Sequence, residues 1–186
     1  MKKLEVGVGN MRVRKGSIAV DVYMPKWAVE VPERFRLCNV EKDELPFGDG
    51  EFDEVVLKHV FEHFGAVDRR RVIEKCLRVL RPGGFLRIAV PNTERYIERY
   101  CDGLWRMEEL SAMIFGAQTE EWQSANAHKV CYSQDSLKRF FSQNFVKELE
   151  MTKMETGYRG RWKDPRMEIR AVFRKKEMAS NNENGK

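Results

Sequence analysis

Gly7 and Gly9 close the first β-prone run of the chain, Leu4-Glu5-Val6-Gly7-Val8-Gly9, and they restrict the fold more than any other feature. Leu4, Val6 and Val8 alternate as an extended strand requires. The two glycines let the backbone bend sharply and let a ligand approach it without meeting a Cβ. A second apolar run, Ile18-Ala19-Val20, ends in Asp21, so an acid stands at the exit of the second strand. A carboxylate there can accept two hydrogen bonds from a ribose diol, and a glycine bend beside an acidic strand end describes a site for a nucleoside-containing cofactor. Two phosphate-cradling alternatives drop out. The dinucleotide fingerprint needs glycine where Arg12 stands, and no Gly-Lys-Ser/Thr ending follows as a phosphate loop requires.

The link between these two strands is short. Asn10 to Ser17 supplies eight residues where parallel neighbours ordinarily need a crossover of about a dozen or more. A truncated first crossover is predicted to leave part of one sheet face and of the pocket less covered, and to weaken cofactor binding or make it depend on a partner.

Pro25 to Pro32 reads as a short helix or irregular link anchored by Trp27, and Phe35 to Val40 as a third strand ending at Asn39. Leu45-Pro46-Phe47-Gly48-Asp49-Gly50 is a proline-fixed turn followed by a tight Asp-Gly turn. Phe52 to Val60 is then a strand whose unbroken Val55-Val56-Leu57 suits the middle of a covered parallel sheet, beside the first strand. It leads into His59-Val60-Phe61-Glu62-His63, which brings two of the chain's three histidines to one strand exit.

Val72, Ile73, Cys76, Leu77 and Leu80 form one stripe of a helix that Asp68 is expected to cap. Arg81-Pro82-Gly83-Gly84 is expected to stop that helix, and Phe85 to Val90 to form the fifth strand. Two further helices are predicted, over Thr93 to Cys101 and Leu104 to Ile114, the second burying Leu104, Trp105, Met107 and Leu110 among others. A helix from Ser133 to about Phe141 follows, with Phe145 as a staple. Val146 to Met151 and Glu168 to Phe173 are strand-like, and Ala179 to Lys186 reads as a disordered tail.

Taken in order, these elements resemble class I S-adenosylmethionine-dependent methyltransferases. The residues that carry the resemblance are Glu5-x-Gly7-x-Gly9, Asp21, Leu45-Pro46-Phe47, the His59-Val60-x-Glu62-His63 run and, most specifically, Leu77 to Leu86 with its Arg81-Pro82-Gly83-Gly84 turn. The likeness covers about Leu4 to Asn92 by ordered motifs and the rest by layout. It implies an α/β, Rossmann-like methyltransferase fold: a mostly parallel central sheet with helices on both faces and a C-terminal antiparallel strand pair. One domain over 1–176 is expected, with an acceptor-side lid over about 93–130 and a tail from 177 to 186.

The resemblance also implies the cofactor, S-adenosyl-L-methionine, with Glu5, Gly7 and Gly9 toward its methionine moiety and Asp21 on the ribose. Asn39, Val40 and Glu41 would lie toward the adenine and His59 over the cofactor. Asn39 holds a place where the family often has an acid, and its side-chain carbonyl can accept the same bond. Phe115 to Lys129 loosely resembles a segment of short methyltransferases associated with envelope glycans. The acceptor is accordingly expected to be a small molecule or a glycan, with His59, His63 and His128 as candidates for taking its proton. The bland reading of each histidine is a neutral, hydrogen-bonded ring.

Charge leaves a second acceptor class open. The net charge is +5, and basic residues concentrate from Tyr158 to Lys176 among Tyr158, Trp162 and Phe173, a mixture able to meet phosphates and stack on bases, or simply to guard a sheet edge. An RNA-directed methyltransferase and a non-catalytic interaction module of the same fold therefore stand beside the small-molecule reading. The four cysteines are scattered, without the close pairs of a zinc site, and no metal centre is expected from spacing. No apolar run reaches the ~20 residues of a membrane span, and the N-terminus has no apolar signal core, so a cytoplasmic protein is expected.

Overall fold

The computed structural model describes residues 1–9, 11, 13–116, 127–157, 164 and 166–177. Several positions named above lie outside them: Asn10 and Arg12 of the first link, 117–126 of the acceptor-side segment, 158–163 and 165 of the basic segment, and 178–186 of the tail.

Seven strands form one sheet: β1 (Lys3–Val6), β2 (Ser17–Asp21), β3 (Phe35–Leu37), β4 (Phe52–Lys58), β5 (Leu80–Pro91), β6 (Leu149–Gly157) and β7 (Glu168–Lys175). Their spatial order is β3-β2-β1-β4-β5-β7-β6. The first five are parallel, and β7 runs antiparallel to both β5 and β6. This is the expected Rossmann-like sheet with its C-terminal antiparallel pair. The order reverses between β1 and β4, the point at which an open α/β sheet leaves a crevice beyond its strand ends.

The helices are α1 (Asp68–Val79), α2 (Thr93–Cys101), α3 (Met107–Phe115) and α4 (Gln134–Asn144). Strand alternation sends Leu4, Val6, Val55, Leu57, Leu86, Ile88, Ile169 and Phe173 to one face. There they meet Val72, Ile73 and Cys76 of α1 and Leu137, Phe140 and Phe141 of α4, which makes the main core. A second cluster joins Val8, Ala19 and Phe35 to Trp27 on a single 3-10 turn, Lys26–Val29. A third packs Tyr96, Trp105, Leu110 and Met167 between α2 and α3.

The clipped first link has a visible counterpart on the other face of the sheet. Glu54 of β4 is 1% exposed, and cations reach its oxygens from Lys3 (3.4 Å), Arg14 (3.7 Å) and Arg87 (3.1 Å). Long charged side chains thus lie over strand surface that a crossover helix would otherwise cover, their stems on the sheet and their heads in water.

Several boundaries differ from the sequence reading for physical reasons. Val67, without a side-chain bond, takes the N-cap position of α1, and Asp68 sits in the first turn, where its charge meets the helix dipole. The helix stops at Val79, one turn before Pro82, because Leu80 is already extended and paired with Phe52. Pro82, Gly83 and Gly84 therefore lie within β5, where the register shifts between Phe52 and Glu54. The third strand is short because Asn39 turns the chain, its backbone oxygen accepting from Lys42 at 2.9 Å and Asp43 at 2.7 Å.

A turn at Asp102-Gly103 delays α3 to Met107, which leaves Leu104 and Met107 exposed while Trp105 and Leu110 are buried. Phe145 to Leu149 forms a turn that leaves Val146 exposed and starts β6 three residues after it. At α4 the prediction holds closely: Ser133 caps the helix, accepting from Ser136 N–H at 3.0 Å, and Phe145 is buried behind it.

Candidate functional site

The carboxyl ends of β1, β2 and β4 line a cavity of about 190 Å³, roughly fifteen times what one water needs. Gly7, Gly9, Asp21, Asn39, Val40, Glu41, His59 and His63 all line it, although they come from four separate stretches of chain. Two sequence candidates do not line it, Glu5 and His128.

Glu5 falls outside because strand alternation sends it away from Leu4 and Val6, which belong to the core. Its Oε1 accepts the Arg14 N–H at 3.1 Å, and it lines a separate hollow with Met11 and Lys58. The short link thus claims the carboxylate that the sequence reading gave to the cofactor.

The two glycines act differently. Gly7 has φ 67°, and a Cβ on it would lie 2.1 Å from Val60 Cγ2, so its missing side chain makes room for Val60. Gly9 has φ 53°, and a Cβ there would meet nothing within 4 Å. The open space for a ligand is at Gly9.

Asp21 is 8% exposed and links both lips of the cavity. One oxygen accepts the Gly9 N–H at 2.8 Å and the other the Tyr23 N–H at 3.1 Å. Each carboxylate oxygen can still accept a further bond. Asn39 is less available than the sequence suggests, since its Oδ1 accepts the Glu41 N–H at 3.1 Å in an Asx turn. Glu41 in turn pairs with Lys129 at 2.9 Å across the cavity. Lys129 also lines the cavity, and sequence reasoning missed it because its partner stands 88 residues away.

His59 has φ 53°, a left-handed conformation that is uncommon outside glycine and is often found at functional sites. Its Nε2 donates to Glu168 Oε2 at 2.8 Å, and its Nδ1 stands 3.7 Å from Glu62 Oε1. Burial pushes the Glu168 carboxyl up, but hydrogen bonds from His59 and Arg170 outweigh it and hold the group below the usual glutamate range. His63 Nδ1 donates to the Ala127 carbonyl at 3.1 Å, and its ring meets that of His128 edge-on with centroids 5.0 Å apart.

Behind these rings Glu62 is 1% exposed, and neither of its oxygens accepts a hydrogen bond from the described residues. Its backbone oxygen accepts from Lys129 N at 2.8 Å and Val130 N at 3.2 Å, which fastens the His128 segment to the end of β4. The described part of the basic segment is engaged locally: Arg170 with Glu168, Arg166 with Asp164 and Glu98, and Lys175 with the carbonyls of Leu77 and Leu80. Among the described residues no helix is long and apolar enough to cross a membrane.

Comparison with known proteins agrees with the fold. A family model described as a methyltransferase domain matches residues 18–88. An uncharacterized protein of Methanocaldococcus jannaschii is 30% identical over 97 residues, 50% of this chain and 46% of that protein. The demethylmenaquinone methyltransferase of Thermotoga maritima is 42% identical over 55 residues, 28% of this chain and 23% of that enzyme. The chain spans less than half the length of the curated relatives it matches. Among solved structures, the 1,6-didemethyltoxoflavin-N1-methyltransferase of Burkholderia thailandensis, with 1,6-didemethyltoxoflavin and S-adenosylhomocysteine bound, superposes with a TM-score of 0.64. That match is 16% identical and covers 95% of this chain and 71% of the other, a likeness of fold.

Proposed function

We propose that this chain, which has the fold of class I S-adenosylmethionine-dependent methyltransferases, transfers a methyl group from S-adenosyl-L-methionine to a small-molecule or glycan acceptor. The observation that carries the proposal is the cavity at the ends of β1, β2 and β4, where open space at Gly9 adjoins the buried carboxylate of Asp21. Those residues suit the group: a carboxylate with acceptor capacity left for a diol, and backbone that a ligand can approach closely.

When bound, the cofactor supplies a methyl group on a sulfonium, already activated for displacement. The work of the chain is then to bind, align and keep water out. In this reading Gly7 and Gly9 flank the methionine end, Asp21 takes the ribose hydroxyls, and Asn39, Val40 and Glu41 flank the adenine. Glu5 has no part, since Arg14 holds it in another hollow. His59 and His63, which line the cavity, serve the acceptor side, and His128 supports the His63 ring.

Calorimetric titration with S-adenosylhomocysteine tests the proposal. Wild type is expected to bind one equivalent, and Asp21→Ala to bind roughly 10- to 150-fold more weakly, the equivalent of about 1.5–3 kcal/mol for a lost hydrogen bond to a charged group. Gly9→Val, which fills open space, is expected to lose binding while keeping the wild-type circular dichroism spectrum. No heat with folded wild type, or unchanged affinity in both variants, would sink the reading.

A further inference from the structure

We propose that Glu62, His63 and His128 form a binding site for one divalent first-row transition-metal ion. The starting point is the Glu62 carboxylate, 1% exposed and without a hydrogen bond to either oxygen among the described residues. A carboxylate taken out of water needs paired charge and donors, and buried polar groups without partners are few in folded proteins. One ligand atom each from Glu62, His63 and His128 lies within 4.8 Å of the other two. His128 Nε2 is 4.0 Å from Glu62 Oε1, and His59 Nδ1 is 3.7 Å from the same oxygen.

The orientation of His63 supports a ligand role. Its Nδ1–H is committed to the Ala127 carbonyl, which leaves the lone pair on Nε2 and fixes the ring, the arrangement that outer-shell carbonyls give to metal-bound imidazoles. The chain around the cluster is anchored as well. Backbone amides of Lys129 and Val130 donate to the Glu62 carbonyl, so the segment bearing His128 is tied to the turn that bears Glu62 and His63.

Two imidazoles and one carboxylate suit zinc, cobalt, iron(II) or manganese(II), and suit calcium or magnesium poorly, since those ions prefer all-oxygen sets. Ligands about 2.1 Å from a tetrahedral ion stand roughly 3.4 Å apart, so the spread of up to 4.8 Å must close by up to about 1.4 Å on binding. With the His63 ring held by Ala127 and the His128 side chain 7% exposed, that closing is a small shift of Glu62 and His128 toward His63. Three protein ligands leave coordination positions open, and His63 also lines the cavity at the strand ends.

The site requires neither the cofactor nor methyl transfer, and the experiment keeps the two readings apart. Metal-stripped full-length protein is titrated with Co2+ while its ligand-field absorption is recorded, and Zn2+ is then added in competition. One equivalent of Co2+ is expected to bind, to show a ligand-field band and to be displaced by Zn2+. Glu62→Gln and His128→Ala are each expected to weaken binding about a hundredfold or more, beyond the usual cost of losing an outer-shell partner. Glu44→Gln, an exposed acid elsewhere, is expected to change nothing.

Folded wild type that gives no band overturns the proposal whatever the variants do, and so does stoichiometric Co2+ binding that survives both substitutions. In the latter case another site holds the ion. Binding of S-adenosylhomocysteine without Co2+ binding defeats the metal site alone. Co2+ binding without S-adenosylhomocysteine binding leaves the metal site standing and defeats methyl transfer.

Discussion

Replacing Gly7 by alanine is expected to destabilise the protein by about 2–5 kcal/mol, and replacing Gly9 by only about 1–2 kcal/mol. Both glycines have positive φ, 67° and 53°, and a non-glycine residue in that left-handed region costs roughly 1–2 kcal/mol. The difference is steric. A Cβ on Gly7 would stand 2.1 Å from Val60 Cγ2, about 1.4 Å inside the ~3.5 Å at which carbon atoms pack well, whereas a Cβ on Gly9 would meet nothing within 4 Å. Forcing a methyl into such a contact typically costs a further 1–3 kcal/mol. Val60→Ala removes the obstructing methyls, at an expected cost of about 1 kcal/mol for a partly buried side chain. In the Gly7→Ala/Val60→Ala double variant the steric part should shrink without vanishing, because the retained Cβ of residue 60 still stands 2.7 Å away, and the backbone part should remain, giving a coupling of about 1–2 kcal/mol. Urea unfolding followed by circular dichroism measures all four stabilities. Titration with S-adenosylhomocysteine should show the opposite ranking, with Gly9→Ala losing affinity because its methyl enters the open space. The reasoning is refuted if Gly7→Ala costs no more than Gly9→Ala, or if the double variant is additive within about 0.5 kcal/mol.

Two further outcomes follow from ionisable side chains. Cys101 and Cys131 are exposed and should react with a thiol reagent at once at pH 8, while Cys76, fully buried with its thiol pushed up to about 12, should react only on unfolding; equal native rates for Cys76 and Cys101 would contradict its burial. Glu168 has a folded pKa below its unfolded one, net of burial that raises it and bonds from His59 and Arg170 that lower it. Protonation therefore favours the unfolded chain, so its stabilisation is whole above the unfolded value of about 4.3 and fades as pH falls through the folded value. Glu168→Gln should be less stable than wild type at pH 7, and the gap should narrow below about pH 4; a gap that stays constant into acid would rule out this linkage.

Element order was legible because each element announces itself locally. Leu4, Val6 and Val8 alternate with period two, the stripe of α1 recurs with period near four, and α2 falls on Thr93 to Cys101 as read. Starts and ends were less legible where a distant partner decides them. Leu80 is a strand residue because Phe52 pairs with it, and Leu104 is exposed because a turn intervenes before α3. The site shows the same division. Gly7, Gly9, Asp21 and Asn39 could be placed from strand ends, since a parallel sheet gathers its strand ends along one edge. The surroundings of Glu5 are not legible because the reach of the Arg14 backbone depends on how the short link folds back. Glu168 gives only a strand signal in the sequence, for its bond to His59 spans 109 positions. The company Glu62 keeps with His128 was hidden for a similar reason, the two being brought together by backbone bonds at Lys129 and Val130.

A sheet deprived of a helical layer would ordinarily invite a second sheet or a hydrophobic partner to settle on it. Here a buried carboxylate, Glu54, sits under a ring of three cations from Lys3, Arg14 and Arg87, so any visitor must bring anions of its own or tear that ring open. Ion pairing thus does here part of the covering that a crossover helix would do, and added salt is expected to loosen its exposed members.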